Sequence, residues 1–287
     1  NIGYLLHALL AQKEKNFTLK EIIVVSDGST DKTVAIARSI VDQRIKVIHD
    51  NKRLSQQIRQ NQILTMYKGD IIVLIEADTL PASDNCITEL IKPFIANSSN
   101  GLGMVVGHAV PVSPDTLHRK ILHVGNKIKE GIFSEWKNGK NVYLCNGQAM
   151  KALSRIFTRN LNWPENVPED AYTYFVLKRN SLRLVKQQSA ITYMQNVTTF
   201  ADCTRKYLKF SKGVAALQEH FPSVVVKDEY KIPKVLILKH TLRSILLRPF
   251  YTLLYLIETA FIHSFVFKSK KFDGLSASCL SSKKIYG

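Results

Sequence analysis

The sequence predicts an α/β fold: a mostly parallel sheet flanked by helices, followed by an amphipathic helical tail. Three observations carry this. Short β-branched apolar runs alternate with helix-period segments over the first 112 residues, the pattern of βαβ units with right-handed crossovers. These runs end in polar or acidic residues, as strands do where an α/β sheet meets its ligand. A long apolar stretch with basic flanks lies near the end of the chain.

The elements follow in order. Leu5, Leu6, Leu9 and Leu10 recur at helical spacing in "NIGYLLHALLAQ", which predicts an opening helix. "EIIVV" (21–25) predicts a buried strand, and "SDGSTDKT" a turn. Thr30 or Asp31 can cap the helix "KTVAIARSIVD". "RIKVIHD" (44–50) predicts a strand, "SQQIRQNQILTMYKG" a helix ending at Gly69, and "DIIVLIEAD" (70–78) a third strand. "SDNCITELIKPFI" (83–95) predicts a helix and "GLGMVVGHAVPV" (101–112) a strand. Further on, "LHRKILHVGNKIKEGIFSEW" reads as a helix. "VYLCNGQAMKALSRIF" reads as a strand, a turn at Asn146-Gly147 and a helix. "NWPENVPEDAYTYFVLKRN" leads into an amphipathic helix, "SLRLVKQQSAITYM" is strand-like, and "TTFADCTRKYLKFSKGVAALQEHF" is a basic helix.

The 287 residues are 45% hydrophobic, enough for one large core or a domain with an appendage. A net charge of +17, from 40 Lys and Arg against 23 Asp and Glu, points to an anionic partner. The basic residues are scattered and carry no RNA-type aromatic motif, which argues against nucleic acid. The four cysteines include no C-x-x-C, which argues against a disulfide framework or a thiolate zinc site and fits a reducing compartment. His118 and His123 stand five apart and do not make a ligand pair on one helix face.

Glu76 and Asp78 close an apolar run one residue apart. On an extended segment they would point the same way, as a pair of hard oxygen donors for Mg²⁺ or Mn²⁺ or as a solvated strand end. Asp27 lies just past another predicted strand. Three distant acids would then gather on one sheet edge.

Four segments in this order resemble the family 2 glycosyltransferases of the GT-A fold: "VVSDGSTDKT", "GDIIVLIEADTLP", "PEDAYT" (168–173) and "TRKYLKFSKG" (204–213). The resemblance covers about residues 1–267. It implies an inverting, metal-dependent hexosyltransferase-like enzyme that moves a sugar from a nucleotide-sugar donor to an acceptor hydroxyl, saccharide or lipid-linked, as in cell-envelope polysaccharide synthesis. In this reading Asp78 matches the metal-binding acid of the D-x-D motif, and Glu76 replaces its first Asp. Asp27 matches the contact to base or ribose, with an Asx-turn as the alternative. Asp170 matches the general base, with Glu169 beside it; both acids also suit a helix start. Asn61 and Gly147 match substrate-side positions. Arg205 and Lys209 match a basic segment facing the diphosphate or acceptor, although a solvated basic face reads equally well. The family's G-K pair is Ser55-Gln56 here, so one phosphate-side cation is absent.

The expected organisation is a catalytic domain over residues 1–215 and a helical region over 216–287. The family's first strand and acidic loop would precede Asn1. "FYTLLYLIETAFIHSFVF" (250–267) carries Glu258 near its centre, which is costly in a bilayer. With Arg243, Arg248, Lys268, Lys270 and Lys271 beside it, the stretch fits an interfacial helix or hairpin on the cytoplasmic face of an anionic membrane, or a soluble helix packed on the domain. A nucleotidyltransferase of related fold and a non-catalytic basic peripheral-membrane protein are the alternative functions.

Overall fold

The computed structural model describes residues 1–96, 101–145 and 148–268. In chain order its elements are α1 (Ile2–Leu10), β1 (Ile22–Ser26), α2 (Thr33–Ser39), β2 (Ile45–His49), α3 (Gln56–Met66), β3 (Ile71–Leu74), β4 (Thr79–Pro81), α4 (Cys86–Ile95), β5 (Leu102–Pro111) and α5 (Leu117–Glu135). Two 3₁₀ turns (Trp136–Gly139 and Val142–Leu144) come next. The chain continues through β6 (Lys151–Ser154), α6 (Arg155–Thr158), α7 (Glu169–Arg179), β7 (Arg183–Met194), α8 (Phe200–Leu217), α9 (Ser223–Tyr230), α10 (Lys234–Leu247) and α11 (Pro249–Lys268).

These elements form two compact units. Among the described residues, one combines Asn1–Val110 with Cys145–Tyr193; the other combines Pro111–Leu144 with residues 194–268. The division therefore does not fall at a single cut near residue 215. The tail helices share a unit with α5 because a few of their partly buried apolar residues pack against it: Val124, Ile128 and Ile132 of α5 pack with Leu236, Tyr251 and Tyr255.

In the first unit β1 and β2 pair in parallel, Ile22 opposite Ile45 through Ser26 opposite His49, with α2 as the crossover. Asp31 Oδ1 accepts the Thr33 amide at 2.9 Å at the start of that helix. The remaining strands form a five-stranded sheet in the order β3-β6-β5-β7-β4. The sheet system is thus mixed: β6 runs antiparallel to both β3 and β5. The chain makes a long excursion between β5 and β6, so no βαβ crossover fixes the direction in which β6 returns.

Over 142–157 the expected opening strand is not formed, the expected turn at Asn146-Gly147 lies outside the described residues, and only the end is helical, as α6. The first part of this segment is a 3₁₀ turn, and its later part supplies β6. Met150, Ala152 and Leu153 are fully buried, and a short run buried on both faces has no periodicity to tell strand from helix. The predicted 70–78 strand ends early, at Leu74. Around these strands Leu5, Leu6 and Leu9 of α1 pack with Ile22, Ala37, Ile87 and Ile91, and Leu90, Leu102, Val105, Met150, Ala152 and Ala190 form a second cluster.

In the second unit α10 and α11 form a helical hairpin that approaches α5 at two glycines. A methyl group at Gly125 would overlap the Tyr255 ring, and one at Gly131 the His240 ring. Among the described residues no helix is long and apolar enough to cross a membrane.

Candidate active site

The α7 N-terminus gathers a buried cluster of opposite charges. Glu169 and Asp170 form the first turn of α7, where backbone amides favour negative charge. Lys151, on β6, is 3% exposed, and its Nζ bonds Glu169 Oε1 at 2.9 Å and also Asp170 Oδ1. Gln56 and Gln60 of α3 donate to the same Glu169 Oε1 at 3.3 and 3.4 Å. Glu169 Oε2 is buried and accepts no hydrogen bond. Burial opposes ionisation of Glu169, but Lys151 outweighs it and holds this carboxyl below its usual range. Asp170 goes the other way: burial first, then the negative charge of Glu169, push it well above the ordinary aspartate value, with Glu76 adding to the effect. One acid of the pair is held ionised and its neighbour is poised to hold a proton.

The loop before α7 is tied to α3. Both polar ends of Asn61 serve the Trp163 backbone: Nδ2 donates to Trp163 O at 2.8 Å, and Trp163 N donates to Oδ1 at 2.9 Å. Gln57 Nε2 donates to Val167 O at 2.6 Å. Trp163 Nε1 donates to Thr173 Oγ1 at 2.8 Å, and that hydroxyl donates to Glu169 O at 2.6 Å. Asn61 is therefore a tether for the acid-bearing loop.

Asp27 follows β1 directly. Its Oδ1 accepts the amides of Leu54 and Ser55 at 2.7 and 3.3 Å and Arg59 Nε at 3.2 Å. Burial works against ionisation, and these donors outweigh it, lowering the carboxyl's pKa. Arg59, 4% exposed, also binds Asp50 through two nitrogens at 3.1 and 2.6 Å. No local Asx-turn occupies Asp27; its bonds span the gap from β1 to the start of α3. Ser55 caps α3 by accepting the Ile58 amide, at φ 122° and ψ 159°. That backbone region is nearly restricted to glycine, the residue the family pattern places there.

Glu76 and Asp78 lie in the turn between β3 and β4, not on an extended strand. Thr79 N and Oγ1 both donate to Glu76 O, at 3.1 and 2.8 Å. Both acids are half-buried. The turn, rather than strand alternation, presents them, and the negative charge of Glu76 adds to the upward shift at Asp170.

A family model described as "Glycosyl transferase family 2" matches residues 1–184. The chain belongs to glycosyl transferase family 2. It is similar to an uncharacterized glycosyltransferase of Haemophilus influenzae, 25% identical over 220 residues that cover 75% of this chain and 80% of the relative. Among solved structures it resembles a mannosyltransferase from Pyrobaculum calidifontis in complex with GDP-Man and Mn²⁺, with a TM-score of 0.56 at 16% identity over 95% of this chain and 73% of that one. It also resembles glucosyl-3-phosphoglycerate synthase from Mycobacterium tuberculosis in complex with Mn²⁺, UDP and phosphoglyceric acid, with a TM-score of 0.52 at 14% identity over 75% and 72%. These likenesses show the GT-A fold. Family membership makes the chain a glycosyltransferase and sets aside the nucleotidyltransferase and non-catalytic alternatives.

Within this glycosyltransferase the sequence-expected residues divide. Asp27, Asn61, Glu76, Asp78, Glu169 and Asp170 all belong to the first unit. Arg205 and Lys209 lie on α8 in the second, where Arg205 pairs with Asp202 at 2.7 Å and Lys209 is exposed. Gly147 lies outside the described residues. Lys151 and Arg59 were not singled out from sequence. The available signal for Lys151 was a lone charge inside the apolar run "AMKAL", since a buried charge requires a partner. Replacing Lys151 with Met would leave two adjacent carboxylates without their cation. The expected loss is about 3 kcal/mol of stability, read from the urea midpoint at neutral pH; a change under about 0.5 kcal/mol would contradict this role.

Proposed function

We propose that the chain is an inverting, metal-dependent glycosyltransferase in which Asp170 is the general base. The observation that carries this reading is the opposed electrostatics of Glu169 and Asp170 beside Glu76. The acceptor hydroxyl donates its proton to Asp170, whose raised pKa makes it a stronger base than an ordinary carboxylate. The acceptor oxygen forms its bond to the anomeric carbon as the bond from that carbon to the diphosphate breaks on the opposite face. The electron pair leaves with the nucleoside diphosphate, and the proton stays on Asp170. Glu169, fixed by Lys151, Gln56 and Gln60, stays ionised beside the base. Asp27, anchored through Oδ1, presents its other oxygen to the nucleoside, and Arg59 holds it there.

Two carboxylates from one turn suit a hard cation whose remaining positions are filled by substrate phosphates and water. Glu76 and Asp78 would hold Mg²⁺ or Mn²⁺, which when bound supplies positive charge to the departing diphosphate. The Mn²⁺ and nucleotide complexes of the two resembling structures support this assignment. The donor is a nucleotide sugar such as GDP-Man or UDP-Glc.

The acceptor side we assign to a membrane surface. No residue of α10 is buried. Leu238, Leu242 and Leu246 on α10, and Leu253, Ile257 and Phe261 on α11, are exposed at steps that keep each trio on one helical face. Lys127, His240, Arg243 and Arg248 line a cleft where α5 meets α10. Apolar stripes with basic neighbours fit peripheral attachment to anionic lipid, and with it a lipid-linked acceptor.

Asp170→Asn should lower kcat by about 10³-fold, within the usual range for general-base loss, while Asp78→Ala should abolish Mn²⁺-dependent nucleotide binding by calorimetry. With the wild-type chain, kcat/KM should fall with decreasing pH along a limb set above the ordinary aspartate value, because the base must be deprotonated to act. Nucleotide release from a sugar-nucleotide panel reads the rates; an unimpaired Asp170→Asn variant would overturn the assignment. The chain should also co-sediment with phosphatidylglycerol vesicles and much less with phosphatidylcholine ones. Replacing both Leu242 and Leu246 with Glu should weaken that binding at least tenfold; equal binding would remove the membrane assignment.

A further inference from the structure

A second group of chemically distinctive side chains lies wholly within the second unit. His118 in the first turn of α5, Cys203 on α8 and Glu258 in the middle of α11 each turn one ligand atom toward a common point, and these atoms all lie within 4.8 Å of one another. His118 Nε2 is 2.8 Å from Glu258 Oε1 and 4.0 Å from Cys203 Sγ. Among the described residues no other set of three or more such ligands converges in this way. We propose that His118, Cys203 and Glu258 form a binding site for a borderline-soft divalent cation, zinc above all, that clips α11 to α5 and α8.

Four arguments support it. Thiolate, imidazole and carboxylate from one residue each are a donor set that suits Zn²⁺ and disfavours Mg²⁺ and Mn²⁺; this separates the site from the hard-oxygen pair at Glu76 and Asp78. Zinc bond lengths in tetrahedral geometry put ligand atoms about 3.4–3.6 Å apart, so closing on a metal needs shifts of only about an ångström from the observed spacing. His118 Nδ1 lies 3.1 Å from Thr198 O. That backbone acceptor fixes a proton on Nδ1 and leaves Nε2 as the ligand, the outer-shell arrangement that metal-binding histidines use. Finally, the charges balance. The His118 and Glu258 side chains are 25% and 12% exposed, and one thiolate plus one carboxylate neutralise a divalent ion in this half-buried place. Three protein ligands leave the fourth position to water.

The proton balance is explicit. Without metal, burial and then the charge of Glu258 push the Cys203 thiol up to about 12, so it keeps its proton. Binding forms three metal–ligand bonds, replaces the hydrogen bond between His118 Nε2 and Glu258 Oε1, and releases the thiol proton to solvent. No electron transfer is involved, and the site does not depend on the acids of the first unit.

The test uses the whole chain, untagged and stripped with a chelator. Titrated Co²⁺ should reach one equivalent with a thiolate-to-metal charge-transfer absorption and tetrahedral ligand-field bands. Zn²⁺ should displace it and raise the thermal unfolding midpoint. Cys203→Ser should lose the charge-transfer absorption although Cys86, Cys145 and Cys279 remain. Both Cys203→Ser and Glu258→Gln should weaken Zn²⁺ binding at least about 100-fold, since even a hydrogen-bond partner of a ligand is worth about 10–100-fold. Absence of the absorption in the wild type, or unchanged affinity in the variants, would overturn the site. If Cys203→Ser does not fold, Glu258→Gln decides, because it keeps the thiol and a hydrogen-bonding partner for His118.

Discussion

The buried lysine between two carboxylates is the constraint on which the first unit depends. Lys151 brings a full positive charge into a site where it is 3% exposed, and only ion pairing with Glu169 and Asp170 makes that tolerable. The pairing fixes three things together. It joins β6, the antiparallel insertion between β3 and β5, to the start of α7. It keeps Glu169 ionised and oriented with help from Gln56 and Gln60. It also leaves Asp170 flanked by like charge from Glu169 and Glu76, which a carboxyl answers by binding a proton more tightly. The tension between the two acids follows from the same geometry that stabilises the fold.

Much of this was legible in the sequence. β-branched runs ending in polar residues located β1 and β2, and the acids at the start of α7 suited a helix start. The acids at 27, 76 and 78 were singled out from residue type and position, and those at 169 and 170 through the resemblance to the family. What escaped was long-range. Whether 151–154 was strand or helix could not be read from a run without periodicity, so Lys151 had no visible partner. The register that sets Arg59 against Asp27 and Asp50 depends on α3 meeting the loop after β1, which no local pattern encodes. Asn61 was expected at a substrate-side position, and its bonds run to the Trp163 backbone. Cysteine spacing argued against thiolate metal sites because spacing rules detect ligands close in sequence; Cys203, His118 and Glu258 come from three helices.

The second unit solves a different problem. Its hairpin must approach α5 closely, and Gly125 and Gly131 make room for Tyr255 and His240 at the cost of two helix-weakening glycines. Packing there uses only part of the apolar surface of α10 and α11. The outward stripes that remain, with basic side chains beside them, are the surface on which the proposed contact with anionic lipid rests.

The account rests on Glu76, Glu169 and Asp170 sharing one electrostatic neighbourhood. Carbon-13 NMR titration of the Asp170 carboxyl in the intact chain tests that directly. The account predicts a midpoint above the ordinary aspartate range that moves down when Glu76 is replaced by Gln. An ordinary midpoint, indifferent to residue 76, would contradict it.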